Sequence, residues 1–158
     1  MTGAPVVRLE LPARPEGVGV VRQALAGLAD GLALEASVLA DAKMAVTEAC
    51  TNAVVHAYPP DGASEARLGV EMFADEVQLT VVVRDHGIGI PEDEDDRSEG
   101  ALGLGLPLIA ALSDEFELRA GTGDGTEVRM GFLYEREADP AEENPITGGP
   151  GPDGRWES

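Results

Sequence analysis

Hydrophobic and polar residues change their spacing several times along the chain, and each change marks a predicted element. Apolar and polar residues alternate, as strand side chains on opposite faces require, in PVVRLELPA, EARLGVEMFAD, EVQLTVVVRD, EFELRAG and TEVRMGFLY. In the third of these strands, Val77 is counted with Leu79, Val81 and Val83. Helical spacing occurs in EGVGVVRQALAGLADGLAL, in EASVLADAKMAVTEACTNAVVHAYPP and in LPLIAALSDEF.

The order of these elements predicts the fold class. The second helix stops at the pair Pro59 and Pro60, and Pro107 is tolerated in the first turn of the third helix. A short link between the second and third strands, and the Gly-rich turn GTGDG before the last strand, indicate two antiparallel hairpins. The sequence therefore predicts an α+β sandwich, with helices on one face of a mainly antiparallel sheet.

Two segments do not fit this sandwich. HGIGIPEDEDDRSEGALGLG forms a glycine-flanked loop of roughly twenty residues, and a loop so long inside a compact domain is usually functional or disordered. After Tyr134 the chain becomes rich in Pro, Gly and acidic residues. We expect one domain over residues 1–134 and a disordered acidic tail over 135–158, in which a lone Trp156 more often has no role than a docking role.

Composition narrows the classes of partner. The chain has 158 residues, 11 basic and 30 acidic, and a formal net charge of −19, which disfavours direct contact with nucleic acid or anionic membranes. A single cysteine, Cys50, excludes an internal disulfide and a cysteine-based zinc cage. No apolar run approaches the length of a membrane span, and the N-terminus lacks the apolar centre of a signal peptide. We expect a cytoplasmic protein whose macromolecular partners are proteins.

The second helix carries the first candidate site. At 100° per residue, Glu48 and Asn52 fall nearly opposite an apolar side, about 6 Å apart along the axis. The residues on that apolar side are Leu39, Val46, Cys50, Ala53 and Ala57. A carboxylate can take a proton, and an amide oxygen suits Mg²⁺ when phosphates supply its other ligands. An ordinary solvated helix face explains the same pair, and His56 fits a structural role better than a metal-binding one.

VVVRDHGIGIP carries the second candidate site. Asp85 ends a buried strand, where its carboxylate could accept a hydrogen bond from the exocyclic amine of adenine. Gly87 and Gly89 lack a Cβ and let the backbone approach a flat base. A strand that ends in a turn is the plainer explanation, since Asp and Gly are common there.

EGALGLGLPLI carries the third candidate site. Gly100, Gly103 and Gly105 precede a helix, whose first N–H groups and positive dipole end favour phosphate. The segment is neither a Walker loop nor a Rossmann fingerprint. A flexible hinge beside the helix start is the alternative.

The order and spacing of the three segments resemble the nucleotide-binding boxes of the GHKL ATPase superfamily, which includes gyrase and histidine kinases. EACTNAVVHAY resembles its N box, DHGIG its first glycine box, GALGLGL its second, and GDGTEVRM the late strand that contains Thr126. The likeness extends over residues 5–134 and is strongest to the RsbW-like anti-sigma factor serine kinases, whose N box reads Glu-x-x-x-Asn-x-x-x-His-Ala-Tyr, as here through Tyr58. It implies a Bergerat-type two-layer sandwich with a glycine-flanked ATP lid.

This resemblance implies a role for each site residue. Glu48 would be the general base and Asn52 the Mg²⁺ ligand, while Asp85 would bind adenine N6 with Thr126 supporting it through water. The remaining positions would shape the adenine pocket, frame the lid and hold the phosphates: Gly87, Gly89, Gly100, Gly103, Leu104 and Gly105. Arg97 is the one lid cation able to reach a phosphate, in the otherwise acidic PEDEDDRSEG, for which a solvated, mobile loop is the plainer explanation.

The resemblance further implies an ATP- and Mg²⁺-dependent serine/threonine kinase. Such a protein phosphorylates a STAS-type anti-anti-sigma antagonist and sequesters a sigma factor. It is often a homodimer, for which the first strand and helix are candidate contacts. An ATP-binding sequestering module without useful kinase activity is the alternative, slightly favoured by the acidic lid. The catalytic half of a histidine kinase fits less well, because His56 and His86 lie inside the boxes and no helical hairpin with a phosphoacceptor His lies upstream.

Overall fold

A computed structural model describes residues 3–56, 66–86, 105–120 and 125–135. Along these ranges the elements are β1 (Val7–Pro12), α1 (Pro15–Gly31), α2 (Ala36–His56), β2 (Arg67–Ala74), β3 (Gln78–Asp85), α3 (Gly105–Leu112), β4 (Glu115–Ala120) and β5 (Thr126–Leu133). The predicted order of strands and helices is confirmed. Residues 87–104 of the predicted glycine-flanked loop, and nearly all of the predicted tail, from residue 136 onward, lie outside the described residues.

The strands form a five-stranded sheet in the order β1-β2-β3-β5-β4, and every neighbouring pair is antiparallel. The last two strands therefore join the sheet through β5, which pairs with β3, and β4 lies at the edge. Register aligns one apolar residue from each strand in a row across the whole sheet: Leu9, Val70, Val83, Val128 and Leu118. Facing residues of an antiparallel pair share a face, so this row lies on one side of the sheet.

All three described helices pack on that side. Leu25 of α1, Val46 of α2 and Ile109 of α3 are fully buried in one apolar cluster with Phe132 of β5. Burial of such side chains stabilises the fold by about 1.5–3 kcal/mol each. The predicted α+β class, with helices on one face of an antiparallel sheet, is confirmed. In the described part of the chain, no helix is both long and apolar enough to cross a membrane.

Helix α1 is shorter than the sequence predicts, since helical spacing continues to Leu34 but α1 ends at Gly31. Ala33 has φ 53°, in the left-handed region, and its N–H donates to Asp30 O. The N–H of Leu34 donates to Ala29 O. This pair of bonds is a Schellman motif, which satisfies the last carbonyls of a helix and terminates it, although glycine is the usual residue at the left-handed position.

Strand β3 begins one residue later than the alternation predicts. Val77 lies in the turn before it and is 58% exposed. The carboxylate of Asp75 accepts hydrogen bonds from the N–H groups of Val77, at 2.9 Å, and Gln78, at 2.8 Å. A side chain that bonds to the backbone two residues on stabilises a turn, and apolar alternation carries no information about such a bond.

Candidate functional site

Helix α2 presents Glu48 and Asn52 beside its core face. The buried residues of this face are Ala42, Ala45, Val46, Ala49, Cys50 and Ala53. Glu48 and Asn52 are both half-buried, and the amide Nδ2 of Asn52 is itself buried. Asn52 therefore lies at the border of the core face rather than opposite it. Of the predicted apolar side, Leu39 is only half-buried and Ala57 lies outside the described residues.

The first residue of α3, Gly105, lies against the side chain of Asn52. A Cβ at position 105 would stand 2.7 Å from Asn52 Nδ2, closer than real Cβ contacts come, and 3.2 Å from Oδ1. A larger residue at position 105 would require the amide of Asn52 to shift. The structure thus brings together a residue of the predicted N box and one of the predicted second glycine box.

The same amide shows that a polar ligand would fit there. Asn52 Nδ2 is buried and has no hydrogen-bond partner among the described residues. A buried polar group without a partner costs about 1–3 kcal/mol. The first N–H groups of α3 also lack intrahelical acceptors, as at any helix start. An anion with a hard cation, such as a nucleotide phosphate with Mg²⁺, suits this combination of an amide and a helix N-terminus.

The predicted adenine-side residues meet at the end of two paired strands. Asp85 of β3 is the register partner of Thr126 of β5, and Asp85 is only 9% exposed. Gly125, just before Thr126, lies on the backbone of Asp85, where a Cβ would collide with the Asp85 carbonyl oxygen. Gly125 thus lies beside the predicted adenine-side residues. The sequence does not single it out, although GDGT places a glycine directly before the predicted threonine.

The other predicted site residues lie outside the described ranges: Gly87, Gly89, Arg97, Gly100, Gly103 and Leu104. Their predicted roles stay predictions. His56 belongs to the last described turn of α2, and its expected structural role also stays a prediction.

Cys50 is the one described residue near the pair that carries a thiol. Burial raises the pKa of Cys50 to about 12, so its thiol stays protonated at neutral pH and is a poor nucleophile. Within the described ranges, no group of three or more His, Cys, Asp or Glu side chains could hold a metal ion.

The chain is similar to proteins of known family. The family of histidine kinase-like ATPase domains matches residues 11–132. The serine-protein kinase RsbW of Bacillus velezensis is 35% identical over 136 residues, which cover 77% of this chain and 82% of that protein. RsbW of Bacillus subtilis is 36% identical over 134 residues, covering 76% and 81%. The chain therefore belongs to the histidine kinase-like ATPase domain family and, within it, to the RsbW serine-protein kinases.

Solved structures agree on the fold. The RsbU and RsbW domains of Rv1364c from Mycobacterium tuberculosis match with a TM-score of 0.59 at 23% identity, over 85% of this chain and 34% of that chain. The histidine kinase domain of the blue-light activated histidine kinase EL346 from Erythrobacter litoralis matches with a TM-score of 0.53 at 25% identity, over 78% and 62%. The predicted GHKL fold and the predicted family are confirmed.

Proposed function

We propose that the protein is an ATP- and Mg²⁺-dependent serine/threonine kinase that also acts as an anti-sigma factor. It phosphorylates a STAS-type anti-anti-sigma antagonist and sequesters a sigma factor, and it works as a cytoplasmic homodimer. The contact between Asn52 and Gly105 carries this proposal, because it joins two boxes of the nucleotide site around a buried amide that has no partner. The RsbW relatives, which are named serine-protein kinases, support serine as the acceptor.

ATP supplies the phosphoryl group that is transferred. Asp85 accepts a hydrogen bond from the adenine amine, and its neighbour Thr126 keeps the carboxylate in position. Asn52 provides an amide oxygen to Mg²⁺, with phosphates and water completing the shell. Glu48 lies one helical turn before Asn52 and accepts the proton of the incoming hydroxyl.

The lid completes this proposed site. Its glycines and Leu104 surround the adenine and the phosphates: Gly87, Gly89, Gly100 and Gly103. Arg97 offers a positive charge to a phosphate, among the acidic residues of PEDEDDRSEG.

The experiment is a comparison of Glu48→Gln with the wild-type protein, using labelled ATP and the candidate antagonist. Loss of a general base lowers transfer by about 10²–10⁴-fold, while ATP affinity stays within about twofold because Glu48 does not hold the nucleotide. Glu16→Gln, an exposed glutamate of α1, is the matched control and should transfer normally. Normal transfer by Glu48→Gln would show that the assigned base is wrong.

An ATP-binding module that sequesters partners without phosphorylating them is the second candidate. The acidic composition of residues 92–99 favours it, because carboxylates close to a triphosphate repel it. ATP binding without any phosphorylated antagonist would support this second function over the first. A pull-down in ATP and in ADP would then identify the partners that respond to the nucleotide.

A further inference from the structure

Asp85 and Thr126 form the last rung of the pairing between β3 and β5. Strand β3 ends at Asp85 and β5 begins at Thr126, so no strand pairing continues past this rung in the described part of the chain. The ends of strands open more readily than their middles, because they have paired neighbours on one side only. The position of the Asp85 carboxylate therefore depends on what holds the two strands together close to this rung.

The rung just before it carries an ion pair. Arg84 is the register partner of Glu127, and Arg84 Nε donates a hydrogen bond to Glu127 Oε2 at 2.6 Å. Consecutive strand residues point to opposite faces, so this pair lies on the face away from the helices, whereas Asp85 and Thr126 share the helix side with Val83. Opposite charges that face each other across an antiparallel pair stabilise the pairing.

Burial strengthens this ion pair. The side chain of Glu127 is 16% exposed and that of Arg84 is 37% exposed. Partly buried charges are screened less by water and salt than exposed ones. Arg119, which faces Glu127 from β4, donates instead to Glu117 on its own strand, at 2.7 Å. The bond from Arg84 is therefore the one that holds the Glu127 side chain against a neighbouring strand.

Gly125 limits the same rung from the other side. A Cβ at position 125 would collide with the Asp85 carbonyl oxygen, so the backbone just before β5 lies directly on the end of β3. Such a close approach leaves little room for the strands to slide. The rung of Asp85 and Thr126 is thus bounded by a backbone contact on one side and by the attraction between Arg84 and Glu127 on the other.

Glu71 offers a comparison within the same set of charges. Arg84 also donates from Nη1 to Glu71 of β2, and the other oxygen of Glu71 binds Arg8 at 2.7 Å. The side chain of Glu71 is 13% exposed, close to the 16% of Glu127. Both glutamates bind the same arginine at similar burial, yet Glu71 joins β3 to β2 and Glu127 joins β3 to the strand of Thr126.

We propose that Arg84 and Glu127 are positioning residues for adenine recognition, which set the place of Asp85 relative to Thr126 from the opposite face of the sheet. The inference rests on the proposed function, in which Asp85 accepts a hydrogen bond from the adenine amine. Both positioning residues point away from the helix side, so they act through the backbones of β3 and β5.

Inosine triphosphate is the probe for this role, because it has an oxygen where ATP has the exocyclic amine. A site that hydrogen-bonds an N–H group rejects an analogue without it, so the wild type should bind ATP at least about tenfold more tightly, as calorimetry measures. Glu127→Gln should reduce this preference about fivefold, because the amine then meets a displaced carboxylate. Its affinity for inosine triphosphate should change less than about twofold, since that nucleotide has no amine bond to lose.

Glu71→Gln is the matched control. It removes a charge from the same arginine and lowers stability, but the preference for ATP should stay within about twofold of wild type. Arg84→Lys is the second variant, because lysine keeps the charge of the network and lacks the planar fork that reaches two carboxylates. It should fold, as circular dichroism would verify, and should reduce the preference about threefold.

The outcomes separate this inference from the proposed function. A wild-type preference for ATP that both Glu127→Gln and Arg84→Lys leave intact would overturn the positioning role and leave the assignment of Asp85 standing. An equal reduction by Glu71→Gln would also overturn it, since the effect would then follow from lowered stability. A wild-type protein that binds the two nucleotides equally would overturn the assignment of Asp85 and the positioning role with it.

Discussion

Neighbouring residues of each strand point to opposite faces of the sheet, and the two faces are stabilised by different interactions. On the helix side the apolar row centres on Val83, which is 2% exposed. On the side away from the helices, which we call the open face, register aligns a second row centred on Val82, which is fully buried. The row consists of Arg8, Glu71, Val82, Arg129 and Glu117. Val83 belongs to the apolar cluster that the helices cover, whereas Val82 does not. Similar burial is thus reached on a face packed by helices and on a face that carries ion pairs.

A network of ion pairs holds the open face together. Arg84 donates from Nε to Glu127 at 2.6 Å and from Nη1 to Glu71, and Arg8 binds the other oxygen of Glu71 at 2.7 Å. The hydrogen bond from Arg84, with a smaller contribution from Arg8, lowers the pKa of Glu71 against the opposing effect of burial. The helix side, by contrast, has no comparable network among its described residues and depends on apolar contact.

Truncating one valine on each face should reveal the largest difference in stability between the two faces. Val81→Ala, on the helix side, should lower the free energy of unfolding by about 2.5 kcal/mol, because the covering helices cannot collapse into the space. Val82→Ala should cost only about 1 kcal/mol, because flexible side chains can fill the space. Urea unfolding measures both. Equal losses would mean that the open face is packed as rigidly as the helix side.

Glu71→Gln should lower the free energy of unfolding by about 2 kcal/mol at pH 7, since it weakens charge-assisted bonds to two arginines. The pKa of Glu71 is lower in the folded state, so its contribution is complete above the ordinary carboxyl value of 4.5 and is lost as pH falls through the lowered pKa. The difference between wild type and variant should therefore shrink in acid.

The control for this change is Glu117→Gln, which removes one charge from the exposed pair with Arg119 on the same face. It should lower the free energy of unfolding by less than about 0.5 kcal/mol. Denaturant unfolding at several pH values compares the two variants. A difference between wild type and Glu71→Gln that grew on acidification would contradict the assigned direction.

Gly105→Ala tests the polar border of the helix side, where Gly105 lies against the buried amide of Asn52. The added methyl group would displace the amide of Asn52 and lower ATP affinity about tenfold, or about 1.4 kcal/mol, as calorimetry can measure. Gly27→Ala in α1 meets nothing within 4 Å and should instead stabilise the fold by about 0.5–1 kcal/mol without changing ATP affinity. Unchanged ATP affinity in Gly105→Ala would separate this glycine from the nucleotide site.

Some of these structural features can be predicted from the sequence more reliably than others. Leu68, Val70 and Met72 alternate without interruption, so the buried side of β2 is readable from hydrophobicity, and all three are fully buried. Val77 continues such an alternation but lies in a turn, because the carboxylate of Asp75 bonds to its N–H. Local patterns therefore predict the middle of an element better than its ends, where side chains compete for the backbone.

Contacts between distant segments are less accessible to sequence reasoning. The pairing of Arg84 with Glu127 follows only from the insertion of β5 beside β3, which no local pattern records. Asn52 and Gly105 are both predicted from a family resemblance, yet the close approach of glycine to the amide depends on how α3 packs on α2. The same resemblance predicts Thr126 beside Asp85, while Gly125 is recognised only by what a Cβ would strike.

The insertion of β5 between β3 and β4 also has a consequence for folding kinetics. Glu48, Asn52 and Asp85 come from the first part of the chain, whereas Gly105 and Thr126 come from the last. The β3–β5 pair joins these parts across a long intervening segment, and closing a long loop costs entropy before its contacts form. We therefore expect the predicted nucleotide site to be assembled at a late, long-range step, and a bound nucleotide to slow unfolding more than it speeds folding.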